Sequence, residues 1–488
     1  MSSTIILLIV AAYFILLLAM AFYTSRGADN ESFFIGKRKS NWMLVAYGMI
    51  GTSLSGVTFM SVPGEVMAKH FTYMQVVVGY FIGYIVVAFV LLPLYYRLHL
   101  TSIYSYLKNR FGTISYKTGA SFFLLSRTLG ASIRIYLVLI VLQHFLLDGV
   151  GVPYFVTVFI ILLMILLYTF KGGVKTIVWT DTLQTTGMIL ALVVTIFLIS
   201  SELHFSFSQL FGAITAKGYT ETFQLDDWKA NNYFIKHILG GAFVTITMTG
   251  MDQEMMQKNI SVNTVGNSQK NMLVFSVILV AVNMLFLILG GALYVYAETK
   301  GIALPAKSDE TFPMIAINYL PPIAGLIFII GLISALFPSA DGALTALTSS
   351  FCIDILGLKE RNDWADAKKA HVRKTVHLTI TAIFFILILL YQKLIEASVI
   401  STILKIASYT YGPLLGLFAF GVLTKRKVND SFLIPVICVM SPAICWLLAA
   451  NSQTLFNGYS FGFELLMLNG AITFLGLCLV SRKGIENR

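Results

Sequence analysis

The sequence predicts an all-α polytopic membrane protein, and three observations carry that reading. Hydrophobic residues make up 57% of the 488 positions and charged residues only 12%, about half of the roughly 25% that wets a soluble domain. Thirteen apolar stretches approach or exceed the length of about 20 residues that a hydrocarbon layer demands of a helix. Lys and Arg concentrate in alternate connections between those stretches, as cytoplasmic loops do. The formal charge of +11 therefore reads as topology. A nucleic-acid-binding surface would need a soluble domain, and no segment outside the stretches is long enough to form one.

The stretches run 4–24, 41–68, 72–96, 118–147, 152–170, 176–200, 233–251, 271–297, 321–355, 375–392, 398–424, 431–450 and 458–481. The first follows Met1, Ser2 and Ser3 without a basic stretch and is too long for a signal peptide, so it is expected to remain. Alternation with the N-terminus outside and the C-terminus inside puts twenty-four of the 34 Lys and Arg residues in cytoplasmic segments, among them Arg26, Lys37, Arg38, Lys39, Lys258, Lys270, Lys483 and Arg488. Outside lie Lys69, Lys217, Lys229, Lys236, Lys300, Lys307 and Lys393, while Arg127, Arg134 and Lys405 fall within stretches.

Several function classes drop out. Cys352, Cys438, Cys445 and Cys478 all sit in apolar stretches with no metal-ligand spacing. There is no H-E-x-x-H and no Gly-rich Lys-Ser/Thr loop, so neither a zinc protease nor an ATP-driven pump is written here.

An ionisable side chain in hydrocarbon costs about 2.5 to 3.5 kcal/mol even on the lenient insertion scale, and each one needs a reason. The set is Glu65, Arg127, Arg134, Asp181, Asp341 and Lys405. Three are acidic and three basic, so mutual pairing would account for all of them. Asp341 lies mid-stretch beside Pro338, which removes a backbone donor, and beside Ser339, Gly342 and Thr345. Oxygen ligands of this kind suit a hard cation such as Na+, a lone carboxylate can also carry a proton, and pairing with Lys405 or an arginine is the plain structural reading. Asp181 lies between one and two turns into its stretch, where an acid also gains from the helix dipole. Arg127 and Arg134 are two turns apart and share a face, which suits either an anionic solute or internal pairs.

Gly48 to Gly64 packs four glycines, hydroxyls and Pro63 into what hydropathy reads as one helix. Unwound backbone at membrane depth is tolerated where protein buries it or it lines a cavity. The seventh stretch carries Gly240, Gly241, Thr245, Thr247, Thr249 and Gly250. The two are five stretches apart, which points to an inverted-repeat transporter with its site at the midplane. Small-residue helix packing is the alternative.

These residues resemble the sodium:solute symporters over essentially the whole chain. The resemblance rests on G-T-S-L-S-G-V-T-F-M-S-V-P from Gly51 to Pro63, G-G-V-K-T-I-V-W-T-D from Gly172 to Asp181, D-Q-E-M-M-Q-K from Asp252 to Lys258, the stretch from Ser339 to Asp354, and G-P-L-L-G-L-F from Gly412 to Phe418. The first motif is most similar to bacterial sialic acid carriers.

The resemblance implies a leucine-transporter-type fold of two five-helix inverted repeats, 41–200 and 233–424, flanked by the helix of 1–24 and by two peripheral helices with a tail in 431–488. It implies a sodium site at Gly51, Leu54 and Ser339, in which Pro338 stands where the family usually has a second serine ligand. Asp181 matches the acid of a second sodium site, and Asp341 falls on a serine of that site. Asp341, with Thr345, is therefore expected to take over cation binding. Ser55 and Thr58 match solute-contacting hydroxyls, Gln75 is a third expected contact, and Arg127 an expected anion partner.

The function so implied is Na+-driven uptake of a small organic solute, such as a sugar, a sugar acid or another carboxylate, by a multi-pass carrier of the bacterial inner membrane. Its partners are solute and lipid, without nucleic acid, enzymatic chemistry or any cofactor beyond the coupling ion. A proton-coupled carrier in which Asp341 titrates is the second reading. A non-transporting sensor or channel of the same fold is the third, and a signalling domain would be expected with a sensor.

Overall fold

Apolar side chains all round a helix are compatible with lipid outside and protein inside, and each of the thirteen stretches is helical in the computed structural model, which describes residues 3–24, 40–394 and 399–482. The cytoplasmic assignments of Arg26, Lys37, Arg38, Lys39, Lys483 and Arg488 lie outside the described residues. The first half of the chain forms α1 (Ser3–Thr24), α2 (Trp42–Ser53), α3 (Gly56–Gly64), α4 (Val66–Arg97), α5 (Thr113–Val150), α6 (Tyr154–Glu202) and α7 (Phe207–Ala216). The second half forms α8 (Phe234–Met248), α9 (Gln253–Ile260), α10 (Val265–Thr299), α11 (Pro322–Ile355), α12 (Asp366–Leu394), α13 (Val399–Thr410), α14 (Gly412–Leu423), α15 (Leu433–Ala450) and α16 (Leu465–Val480). Lys427–Val428 and Ser481–Arg482 pair as a short antiparallel ribbon.

Among the described residues, seven single helices are long and apolar enough to cross a membrane, and three bent pairs reach that length together. The pairs are α2 and α3 at 55°, α8 and α9 at 67°, and α13 and α14 at 47°. Two expectations change. The stretches 152–170 and 176–200, expected to be separate, are continuous in helical conformation as α6. The seventh stretch does not stop at 251: after a break at residues 249–252 it resumes as α9 and runs to Ile260.

Gly240 and Gly241 do not break that span. A Cβ on Gly241 would lie 2.3 Å from the Val76 carbonyl oxygen, and one on Gly79 would lie 2.2 Å from the Ile238 carbonyl oxygen. The backbones of α4 and α8 thus touch, which is the small-residue packing that drives helix association in lipid. Gly241→Leu is expected to destabilise the chain by about 3 kcal/mol, since overpacking here has only backbone to push against. The fraction of monodisperse protein recovered after detergent extraction and heating would check this.

Behind α3, the fully buried Phe59 ring sits 5.9 Å from Phe286, 5.2 Å from Phe312 and 5.7 Å from Phe328. Offset and edge-on aromatic contacts of this kind are each worth about 0.5–1.5 kcal/mol beyond burial. They anchor the half-helix that presents Ser55 and Thr58.

Candidate functional site

The break between α2 and α3 begins at Leu54 (φ −91°, ψ 79°) and Ser55 (φ −74°, ψ 175°). Thr52, Ser53 and Ser55 can bond their own backbone outside a helix, and Gly51 and Gly56 lower helix propensity on either side. The end of α2 therefore leaves its last carbonyls without intrahelical donors at membrane depth. The Gly51 amide donates to Thr185 Oγ1 of α6 at 3.1 Å. A Cβ on Gly51 would meet that hydroxyl at 2.4 Å and Pro338 of α11 at 3.5 Å. The structure so brings Gly51 against Pro338, the neighbour of Ser339. Thr185, one turn beyond Asp181, is a contact that the sequence reading missed.

Ser339, Asp341 and Thr345 are all buried in α11. The Ser339 hydroxyl donates to the Leu336 carbonyl at 2.9 Å. Asp341 Oδ1 accepts from the Gly342 amide at 2.5 Å, and the Glu254 carboxylate occupies the place where a Cβ on Gly342 would be. Thr345 Oγ1, one turn along the same face, is buried without a hydrogen-bond partner.

Asp181 is fully buried, and its Oδ2 takes the Lys258 ammonium at 2.7 Å and the Thr52 hydroxyl at 3.2 Å. Arg127 is also buried, ion-paired to Glu254 and 3.7 Å from Asp252 through Nε. Asp252 caps α9, accepting from the Glu254 and Met255 amides at 2.9 and 3.2 Å. Tyr411 donates to its other oxygen at 3.3 Å. One chain of charges thus runs from Asp252 through Arg127, Glu254 and Lys258 to Asp181. Lys258, expected in a cytoplasmic loop, is only 3% exposed.

Beside this network lies a cavity of about 110 Å³. Ser55 at the N-cap of α3 and Thr58 within it line the cavity, with Tyr80 and Tyr84 from α4 and Asn283 from α10. Arg127 and Arg134 both face it from α5. Arg134 makes no hydrogen bond or ion pair among the described residues, whereas two carboxylates hold Arg127. Spacing could not separate the two arginines; their partners do.

Gln75 does not line this cavity. Its amide donates to the Thr72 and Asn232 carbonyls at 3.2 and 3.4 Å, meets His237 Nδ1 at 3.3 Å, and accepts from the Gln224 amide at 3.3 Å. It ties α4 to the segment before α8.

A second cavity of about 750 Å³ shares Tyr73, Ile400 and Leu404 with the first and carries Glu65, Lys69 and Lys405 on its walls. Glu65 pairs with Lys69 at 3.0 Å, and Lys405 is exposed to this chamber. The small cavity is thus approached from the Lys405 side and stopped at its other end by the buried ion network.

Polar side chains converging between interrupted helices, with a wide chamber on one side, are the arrangement expected of a membrane carrier. The family model for the sodium:solute symporter family matches residues 33–435, and the chain belongs to that family. It is a secondary-active carrier, not an enzyme, and couples Na+ to the uptake of a small organic solute by alternating access.

Among curated relatives, the sodium/sialic acid symporter SiaT of Proteus mirabilis is 24% identical over 459 residues, 92% of this chain and 89% of that one. The sodium/sialic acid symporter NanT of Aliivibrio fischeri is 22% identical over 471 residues, 95% and 91% of the two chains. A solved substrate-bound, outward-open Na+-coupled sialic acid symporter superposes with a TM-score of 0.82 at 20% identity, covering 99% of each chain. The fold is shared more distantly with Mhp1, a nucleobase-cation-symport-1 family transporter, at a TM-score of 0.57, 10% identity and coverage of 91% and 93%.

Proposed function

We propose that this chain carries a sialic acid or a similar carboxylate-bearing sugar, and that Arg134, not Arg127, receives the carboxylate. The observation that carries this is Arg134, without an ion pair among the described residues, facing a cavity whose other walls offer hydroxyls and an amide. A planar guanidinium presents donors in a fork that matches a carboxylate. Ser55, Thr58 and Asn283 are placed to bond solute hydroxyls, and the tyrosines Tyr80 and Tyr84 add apolar faces with polar tips. The carboxylate-bearing solutes named for the relatives of Proteus mirabilis and Aliivibrio fischeri support the same class.

Na+ binds at the end of α2, through Gly51 and Leu54 with Ser339, and at Asp341 with Thr345. Binding of cation and solute are then reciprocally coupled, each raising affinity for the other by the same factor. The helices form two inverted repeats, 41–200 and 233–424, within a set of about thirteen spans of a bacterial inner membrane protein. The segments 1–24 and 431–488 lie outside the repeats.

The N-terminus lies outside and the C-terminus inside. Single cysteines replacing Lys307 and Lys425 test that orientation in intact cells. Modification of the first but not the second by an impermeant maleimide is expected, and the reverse would invert the topology.

The function itself is tested by uptake into proteoliposomes from a panel of sialic acid, neutral sugars, amino acids and monocarboxylates, with Na+ and pH gradients imposed separately. Accumulation of the acidic sugar on a Na+ gradient is expected. Accumulation on a pH gradient alone would sink the sodium reading, and preference for neutral sugars would sink the role of Arg134.

A further inference from the structure

Lys258 donates from one ammonium into three oxygens: Thr52 Oγ1 at 2.6 Å, Asp181 Oδ2 at 2.7 Å and Glu254 Oε1 at 3.4 Å. An ammonium has three donors and no acceptor, so the set is matched one to one. The oxygens come from α2, α6 and α9, and all three residues are buried. Asp181 Oδ1 remains buried without a hydrogen-bond partner. The α2 backbone presses on the same carboxylate, since a Cβ on Gly48 would lie 3.1 Å from Asp181 Cβ. Two carboxylates and a hydroxyl around one point, beside the end of an interrupted helix, make an oxygen cage of the kind that holds a hard cation. Here the centre of the cage is a nitrogen of the chain itself.

We propose that Lys258 is a tethered cation. Its ammonium occupies the position among Thr52, Asp181 and Glu254 that a soluble monovalent cation would otherwise take, so this position supplies no coupling ion. Lys258 thereby sets how many Na+ the carrier uses, and Asp181 is a partner of Lys258, not a Na+ ligand. The inference rests on the chain being a sodium-coupled carrier, but on no assignment of its solute. Removing the ammonium would leave Asp181 without its cation beside Glu254, whose other oxygen keeps Arg127. That arrangement favours recruitment of a replacement cation, because a buried charge without its partner is strongly unfavourable.

The test is equilibrium binding of ²²Na+ to the purified full-length chain without solute, counting ions per protein at saturation. Asp181→Asn is expected to bind the same number as the unaltered chain. Lys258→Met is expected to bind one more, and the double variant Lys258→Met/Asp181→Asn to return to the original number. Loss of one Na+ in Asp181→Asn would overturn the proposal, and so would an unchanged count in a monodisperse Lys258→Met. If Lys258→Met does not fold, Asp181→Asn and the charge-neutral double variant still decide, because a count below that of the unaltered chain in either contradicts a tethered cation. A chain that bound no Na+ before alteration would count against sodium coupling itself, while the Lys258 comparison would be read in the same way.

Discussion

Arg134→Gln is expected to weaken binding of an acidic sugar about 100-fold or more while leaving the folded carrier intact. Taking one partner from a desolvated, hydrogen-bonded charge pair costs about 2–5 kcal/mol, and about 1.4 kcal/mol is a factor of ten. The solute carboxylate would be left facing Arg127, whose charge Glu254 and Asp252 already hold. The fold should survive because Arg134 contributes no ion pair to it among the described residues. Arg127→Gln should behave differently, leaving Glu254 and Asp252 buried together and lowering stability along with transport. Concentration dependence of Na+-driven uptake, with thermal unfolding of the same preparations, separates the two arginines. Equal affinity in Arg134→Gln and the unaltered chain would dispose of the assignment.

Asp341→Asn is expected to raise the Na+ concentration for half-maximal uptake about 100-fold, the largest effect foreseen on the cation side. The substitution keeps shape and removes charge, at a fully buried position on α11. Three features of that helix support a cation there. Pro338 cannot donate to the Ser334 carbonyl one turn back. Thr345 Oγ1 is buried and unbonded one turn ahead. The Glu254 carboxylate lies against Gly342, so oxygen acceptors approach from a second helix, although Arg127 and Lys258 hold their charge. Thr345→Val removes a single neutral ligand and should cost about tenfold, near the 0.5–1.5 kcal/mol of one ordinary hydrogen bond. Na+ titrations of uptake at fixed solute would measure both. Sodium dependence unchanged by Asp341→Asn would remove this residue from the cation site.

Local chemistry made one break legible and hid the other. Gly51 to Ser55 interleaves hydroxyls and glycine inside an apolar run, and the helix stops at Leu54. In the seventh stretch the same signal misleads. Gly240 and Gly241 mark a backbone contact with α4, and the break falls later, at residues 249–252, where Asp252 caps a new helix. Hydropathy ended the span at 251 because Asp252, Glu254 and Lys258 look like a loop. Their spacing carried the missing information: an N-cap acid, then Glu and Lys four apart on one helical face.

Which arginine is left without an ion pair among the described residues could not be read locally. Neutralisation of Arg127 depends on residues more than a hundred positions away that only the folded chain brings near. That Gln75 lies away from the small cavity was hidden for a related reason, since an amide in an apolar run suggests a ligand until its backbone partners are in view. Asp341 and Asp181 stood out in the sequence because a carboxylate in hydrocarbon needs a reason whatever its neighbours. Asp181 then proved to have Lys258 as that reason.

The contact of Gly79 with Gly241 has a mechanical consequence. Where side chains separate two helices, one can slide along the other by changing rotamers, but here peptide groups meet directly and there is nothing to rearrange. The two helices are coupled like the welded arms of a lever: α4 follows the α2–α3 pair in sequence and α8 leads into α9, so tilting one interrupted span carries the other with it. Opening toward the opposite face is then expected to turn α4 and α8 together, with the hinge outside this joint. Covalently linking α4 to α8 beside these glycines should leave turnover unchanged, while linking α2 to α6 should stop it.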